Sequence, residues 1–265
     1  MSDPRRVNKA AKLVTDSDPY YNVIRTHIPA SIRGSLNIGT ARFISCKDLY
    51  KTLSTAECDS CGDFGGYLYL ITCRRVCFLC FTEKVDFLPL TRKDTIRKFG
   101  LDSEHLAKLP HLRSFPFFYT PKRNKCRRRE VLFDYSAAQE KGIVVYGSIS
   151  STEEYISEMA RKKPEAFDIQ RSLRTGCETN PRQSRTGDSF DGRISNPKRF
   201  FGIIRAPFFD LGTSSIDWGS HCIACKSHHY FRPLHWRRKY TLASFHDHIK
   251  ECGRKVDGEH IIPPT

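Results

Sequence analysis

Two Cys-x-x-Cys pairs, Cys58/Cys61 and Cys77/Cys80, stand with fifteen residues between them, and no other feature of this chain restricts its folding so strongly. Four thiolates gathered at one point suit a divalent cation that takes tetrahedral sulfur and nitrogen donors, and the C-x2-C-x15-C-x2-C spacing is that of a structural zinc site. The first pair lies in Cys58-Asp59-Ser60-Cys61-Gly62, where the glycine can adopt a positive φ that turns backbone amides toward the sulfurs. Gly65 and Gly66 mark a turn. The run Tyr67-Leu68-Tyr69-Leu70-Ile71 predicts a short strand leading back toward Val76-Cys77-Phe78-Leu79-Cys80. Cys73 is the rival donor in this cluster, and it is expected in the core because Cys77 and Cys80 form a knuckle of their own.

Eleven cysteines would also suit a disulfide framework, which requires an oxidising compartment. The opening Met1-Ser2-Asp3-Pro4-Arg5-Arg6 lacks the apolar stretch of a signal peptide, so the expectation is an intracellular protein, cytoplasmic or nuclear and not secreted. A second constellation supports metal over bridges. His221-Cys222-Ile223-Ala224-Cys225 supplies a knuckle, and a helix follows with Thr241 as its N-cap, Leu242, Phe245 and Ile249 on one face and Gly253 as its stop. His248 and Cys252 fall at i and i+4 on that helix and face one side, which predicts a Cys-Cys-His-Cys finger of Cys222, Cys225, His248 and Cys252. His246 is the competing donor, although it lies nearly opposite His248, and His221, His228, His229 or His235 could take the same place. Two structural zinc ions are expected.

Charge suggests an acidic partner: the formal net charge is +15. The densest run joins Lys122, Arg123 and Lys125 to Arg127, Arg128 and Arg129, and Arg237-Arg238-Lys239 is a smaller one; both could contact phosphates. A solvated connector accounts equally well for the first. No apolar run approaches the ~18 residues of a membrane span.

The chain reads as an α+β protein of small zinc-stabilised modules, a treble-clef-like zinc knuckle and a finger, with short helices and short antiparallel strands. Residues 1–17 form a disordered basic N-terminus and 18–168 the first zinc module. Residues 169–197, rich in Arg, Ser, Thr and Gly, form a linker or long loop, 198–255 the second zinc module, and 256–265 a tail. Within the first module Thr91-Arg92-Lys93-Asp94 opens a helix that buries Ile96 and Phe99 and stops at Gly100. A second helix from about Asp102 carries Leu106 and Leu109, giving a helix-turn-helix-like pair expected as a packing unit. Val131–Phe133 and Ile143–Tyr146 read as strands, Ser151 opens an amphipathic helix carrying Tyr155, Ile156 and Met159, and Phe200–Ile204 reads as a strand.

The cysteine region with its glycines and aromatics, from Cys58 to Glu83, resembles the zinc-binding region of filamentous-fungal F-box proteins. So do Leu88–Thr91, Arg97–Leu101, Leu109–Ser114, Trp218–Cys225, Pro233–Lys239 and Ser244–Gly253, so that the similarity spans about residues 45–255. That resemblance implies the cargo-binding part of an adaptor that joins a protein to a cullin-RING ubiquitin ligase through the Skp adaptor. The leucine-proline-acidic opening of an F-box is not visible, and Ile28-Pro29-Ala30 is a poor substitute. The expected function is non-catalytic protein recognition. Nucleic-acid binding through the basic runs is the alternative, and an enzyme is disfavoured because four protein donors close a zinc site to water.

Overall fold

Local signals build four short helices ahead of the first cysteine pair. The computed structural model describes residues 8–116, 128–172, 196–227, 234–257 and 259–261. Part of the segment expected to be disordered forms α1 (Lys9–Ser17), because the Asn8 side chain accepts from the Ala11 amide; the helix buries none of its residues. Asp18 caps α2 (Pro19–His27) by accepting from the Tyr21 amide, with Pro19 at a position where its missing N–H costs nothing. α3 (Pro29–Ile38) repeats the proline start and ends on the left-handed Gly39, and α4 (Cys46–Leu53) opens on a capping box of Ser45 and Asp48. An antiparallel hairpin of β1 (Tyr67–Tyr69) and β2 (Arg74–Val76) follows, with Tyr67 opposite Val76, and leads into α5 (Phe78–Glu83).

The next segment packs helices on a small sheet. β3 (Leu90–Thr91) runs directly into α6 (Arg92–Phe99), where Thr91 accepts from the Asp94 amide and donates to its carboxylate, as the sequence predicts. The helix stops at Gly100, with a φ of 64°. Its inward stripe runs through Thr95 and Phe99, so Ile96, expected in the core, is 40% exposed. α7 (Ser103–Lys108) is capped by Asp102, and Leu106 and Leu109 are buried. β4 (His111–Arg113) and β5 (Val131–Phe133) complete an antiparallel sheet ordered β3-β5-β4.

Ile143–Tyr146, expected as a strand, is instead the last turn of α8 (Tyr135–Tyr146). Asp134 caps that helix through the Ala137 amide, helix formers carry it on, and Val144 faces outward at 75% exposure. α9 (Ile149–Ser172) opens at Ser148, which accepts from the Ser151 amide, slightly ahead of the expected start. Met159, expected on its apolar face, is exposed, whereas Tyr155 stacks on Tyr146 with ring centroids 4.5 Å apart.

The last third of the chain returns to the first. β6 (Ile203–Arg205) pairs antiparallel with β1, Tyr67 opposite Arg205, giving the order β2-β1-β6. Phe200 and Phe201, read as part of this strand, belong to the 3-10 turn before it and its exit. The main core gathers around this sheet: Leu68, Tyr69, Val76, Leu79 and Phe81 pack with Ile24, Leu53, Phe87 and Phe201. β7 (Phe208–Asp210) and β8 (Ser215–Asp217) form a hairpin; β9 (Ser220–His221) leads into α10 (Ala224–Ser227) and pairs with β10 (Lys239–Tyr240). α11 (Leu242–Cys252) and a hairpin of β11 (Arg254–Val256) and β12 (Glu259–Ile261) follow. The result is the expected mixture of helices and short antiparallel strands. Most of the predicted linker, 173–195, and the cations Lys122, Arg123, Lys125 and Arg127 lie outside the described residues. Among the described residues, no helix is long and apolar enough to cross a membrane.

Candidate metal centres

Cys58, Cys61, Cys77 and Cys80 converge, their sulfurs within 4.8 Å of one another, so the four-thiol set read from the sequence is assembled. The first knuckle is a tight turn: Gly62, at a φ of 79°, donates to the Cys58 carbonyl at 2.9 Å, and the Cys58 amide donates to the Asp63 carbonyl. The second knuckle is the start of α5, where Cys77 is the N-cap and its sulfur accepts from the Cys80 amide at 3.3 Å. Three cations hold the intervening loop. Arg74 pairs with Asp59 at 3.0 Å, Lys84 donates to the Ser60 carbonyl and hydroxyl, and Arg238 pairs with Asp63. Cys73 stays outside the group: its sulfur lies 3.7 Å from the Thr52 hydroxyl, and its own φ of 54° turns the β1–β2 hairpin.

The second centre departs from the sequence reading at one donor. Cys222, Cys225, His248 and His260 lie within 4.8 Å of one another, all buried; His260 takes the place predicted for Cys252, which is half-buried at the end of α11. The reason is the chain path beyond the helix. Gly253 turns at a φ of 87°, and the β11–β12 hairpin returns the chain and places His260 over the knuckle. Its Nδ1 lies 2.9 Å from the Gly253 carbonyl, which orients Nε2 toward the sulfurs, 3.2 Å from Cys222 and 3.5 Å from Cys225. The pair Asp257-Gly258 between Val256 and Glu259 is a hairpin signal that could have found this donor. α11 itself follows prediction in its Thr241 cap and in Phe245, which packs half-buried against the second-centre cluster, but not in Leu242. Leu242 is 78% exposed, and the residue fully buried is His248, whose ring stacks on Tyr240 at 4.4 Å with Nε2 3.4 Å from the Cys225 sulfur. His246 points to solvent, and His221 bonds the Arg238 carbonyl through Nδ1; neither joins the donor group. His228 and His229 lie outside the described residues.

These distances fit a tetrahedral cation. A metal about 2.3 Å from sulfur and about 2.0 Å from nitrogen spaces its donors roughly 3.5–3.8 Å apart. The Cys61–Cys77 separation is 3.6 Å, and in the second centre Cys222–His260, Cys225–His248 and Cys225–His260 are 3.2, 3.4 and 3.5 Å apart. Protonation points the same way. The Cys77 and Cys80 thiols, hydrogen-bonded to Cys58, hold it far below the usual thiol range; Cys77 is raised steeply as the proton holder, and burial pushes Cys61 up to about 12. Four packed thiols cannot all ionise together, and a divalent cation removes that conflict. In the second centre burial pushes Cys225 up to about 12 and, ahead of repulsion from His260, draws His248 down to about 4, leaving a neutral imidazole suited to ligation. The His248 Nδ1 atom is buried with no hydrogen-bond partner, so Nε2 and the Tyr240 stack position the ring.

Two groups of four protein donors that can each hold a metal ion are therefore built by one chain. Compared with protein-family models, characterised proteins and solved structures, the chain matches none, so the two centres stand on their own geometry.

Proposed function

We propose that this chain is a non-catalytic recognition module, held in shape by two structural zinc ions, whose partner is another protein. The observation that carries this reading is the pair of donor sets. Each supplies four sulfur and nitrogen ligands from the chain itself, a set that suits zinc and fills its tetrahedral coordination without leaving a position for a reacting water. Such ions shape surfaces; they do not process substrates. Apolar side chains on the elements of the second centre support a protein contact: Ile223, inside the knuckle, is 65% exposed and Leu242, opening α11, is 78% exposed. The resemblance of residues 45–255 to the zinc-binding region of fungal F-box proteins supports a cargo-binding role within a ubiquitin-ligase adaptor.

Native mass spectrometry tests the metal. Two zinc ions per chain are expected, with one lost in Cys58→Ser and the other in Cys222→Ser; a chain that purifies without metal and binds none on addition overturns the reading. Pull-down with a purified Skp adaptor tests ligase docking separately. Capture supports the adaptor role, while failure to capture removes ligase docking and leaves the recognition module in place.

A further inference from the structure

The run Arg237-Arg238-Lys239 does not act as one basic patch, because the fold gives its three cations different tasks. Arg238 is consumed by the ion pair with Asp63 that clamps the first centre. Lys239 is buried, its ammonium bonded to the Trp218 carbonyl. Arg237 is left over. Its guanidinium lies 4.2 Å from the Trp236 ring centroid and 5.1 Å from that of Phe78, and its Nε is buried without a hydrogen-bond partner. A guanidinium held close to two rings loses little further freedom on binding, and its terminal N–H groups can donate to an oxyanion.

A second guanidinium approaches from another part of the chain. Arg205, exposed on β6, stands directly across the sheet from Tyr67, whose ring is 6.1 Å from that of Phe78. Burial pushes the Tyr67 hydroxyl up while Arg205 and Arg237 both pull it back, so the two guanidinium groups act on the same phenol. On the other side Trp236 neighbours His221, with ring centroids 6.5 Å apart. Cations and aromatic rings thus alternate across a face contributed by β6, β1, α5, the 3-10 turn at His235–Arg237 and β9, in a chain of net charge +15.

We infer that this face, with Arg237 and Arg205 as its phosphate contacts, binds single-stranded nucleic acid. The half-buried rings of Tyr67 and Trp236 lie beside these cations, where bases can stack. A free phosphate makes no use of the rings beside these cations, whereas a nucleic-acid strand brings a base with each phosphate, so cations and rings together fit a strand better. The binding adds to the protein-recognition role and depends on it only through the metal-held shape.

The test is fluorescence anisotropy of the full zinc-loaded chain with a labelled oligothymidine of about 12 nucleotides, within the ~4–16 that such surfaces occupy. Affinity should fall with salt, with a log–log slope near −1.4 from two phosphate contacts, since each contributes about −0.7 on a single strand. Arg205→Ala with Arg237→Ala should weaken binding at least ~10-fold and remove most of that slope. Lys9→Ala with Lys12→Ala removes the same charge from exposed positions on α1 and should change little. Zinc content, read by native mass spectrometry, should stay at two ions per chain in both double variants. Equal losses in the two variants, or no loss in the first, overturn the site. So does tight binding of a phosphopeptide with none of the oligonucleotide. Should Arg237→Ala shed zinc, Arg205→Ala alone, which changes an exposed side chain, decides: oligonucleotide binding unaffected by it refutes the proposal.

Discussion

Arg75 is 1% exposed, and no carboxylate faces it among the described residues. Its guanidinium donates to the carbonyls of Thr52 at 3.0 Å, Leu53 at 3.2 Å, Pro207 at 2.6 Å and Gly65, tying α4, the first knuckle and the segment after β6 to β2. Burial draws its pKa down to about 10, so the charge is kept at neutral pH by these four acceptors. A Cβ on Gly65 would collide with this side chain, which gives that glycine its role. Arg75→Met should cost more than about 3 kcal/mol, because several buried carbonyls lose a charged donor at once. Urea denaturation checks this, and a loss below about 1 kcal/mol would contradict the pinning role.

At the second centre the residue-level prediction is an exchange of roles. His260→Ala should lose one metal ion per chain and Cys252→Ser should keep both, as counted by native mass spectrometry; the reverse pattern would restore the Cys-Cys-His-Cys set. The pH dependence has a definite sign. His248 is lowered from 6.5 to about 4 in the fold, chiefly by burial, so between those values the unfolded chain takes up a proton that the folded chain refuses. The neutral imidazole therefore favours the folded state fully above about pH 6.5, and that advantage declines as pH falls toward 4. In the chain stripped of metal the melting temperature should drop across this interval, and a flat profile would contradict the buried, neutral assignment.

Among the elements, α6 is the one whose sequence signals and structure agree most closely, from the Thr91 cap to the Gly100 stop. Gly100 has a φ of 64°, and a Cβ there would meet the Tyr146 hydroxyl and the Tyr155 ring, each at 2.9 Å. The Tyr146 hydroxyl also donates to the Gly100 carbonyl at 2.8 Å, so the helix stop anchors the α8–α9 junction. Gly100→Ala should destabilise by about 1–2 kcal/mol from the left-handed backbone alone, with more from displaced tyrosines, as measured by chemical denaturation. Helices with such caps were legible because the cap is a local bond between residues three apart. The strand expected at Ile143–Tyr146 was not, since its short apolar run carries no signal that distinguishes a strand from the end of a helix begun at Asp134.

On the scale of the whole molecule the two centres bear different loads. Cys58, Cys77 and Cys80 belong to the main core around β2-β1-β6, whereas Cys222 and Cys225 belong to a small cluster with Ala224 and Tyr240. Cys58→Ser should therefore loosen the main core while the second centre keeps its ion, and Cys222→Ser should loosen the C-terminal segment and spare the core; limited proteolysis and circular dichroism distinguish the two. Equal collapse in both variants would show that the second cluster is no satellite.

What the sequence determined by itself was chemistry held in short spacings: the two knuckles of the first centre, the knuckle of the second, and the caps at Thr91 and Thr241, each set by residues within a few positions of one another. The tertiary structure decided what depends on where distant segments return. It placed His260 over Cys222 and Cys225 through a hairpin, paired β6 with β1 across more than half the chain, and buried Arg75 and Arg199 against carbonyls contributed by other elements. Such choices rest on the summed packing of the core, which no local spacing records.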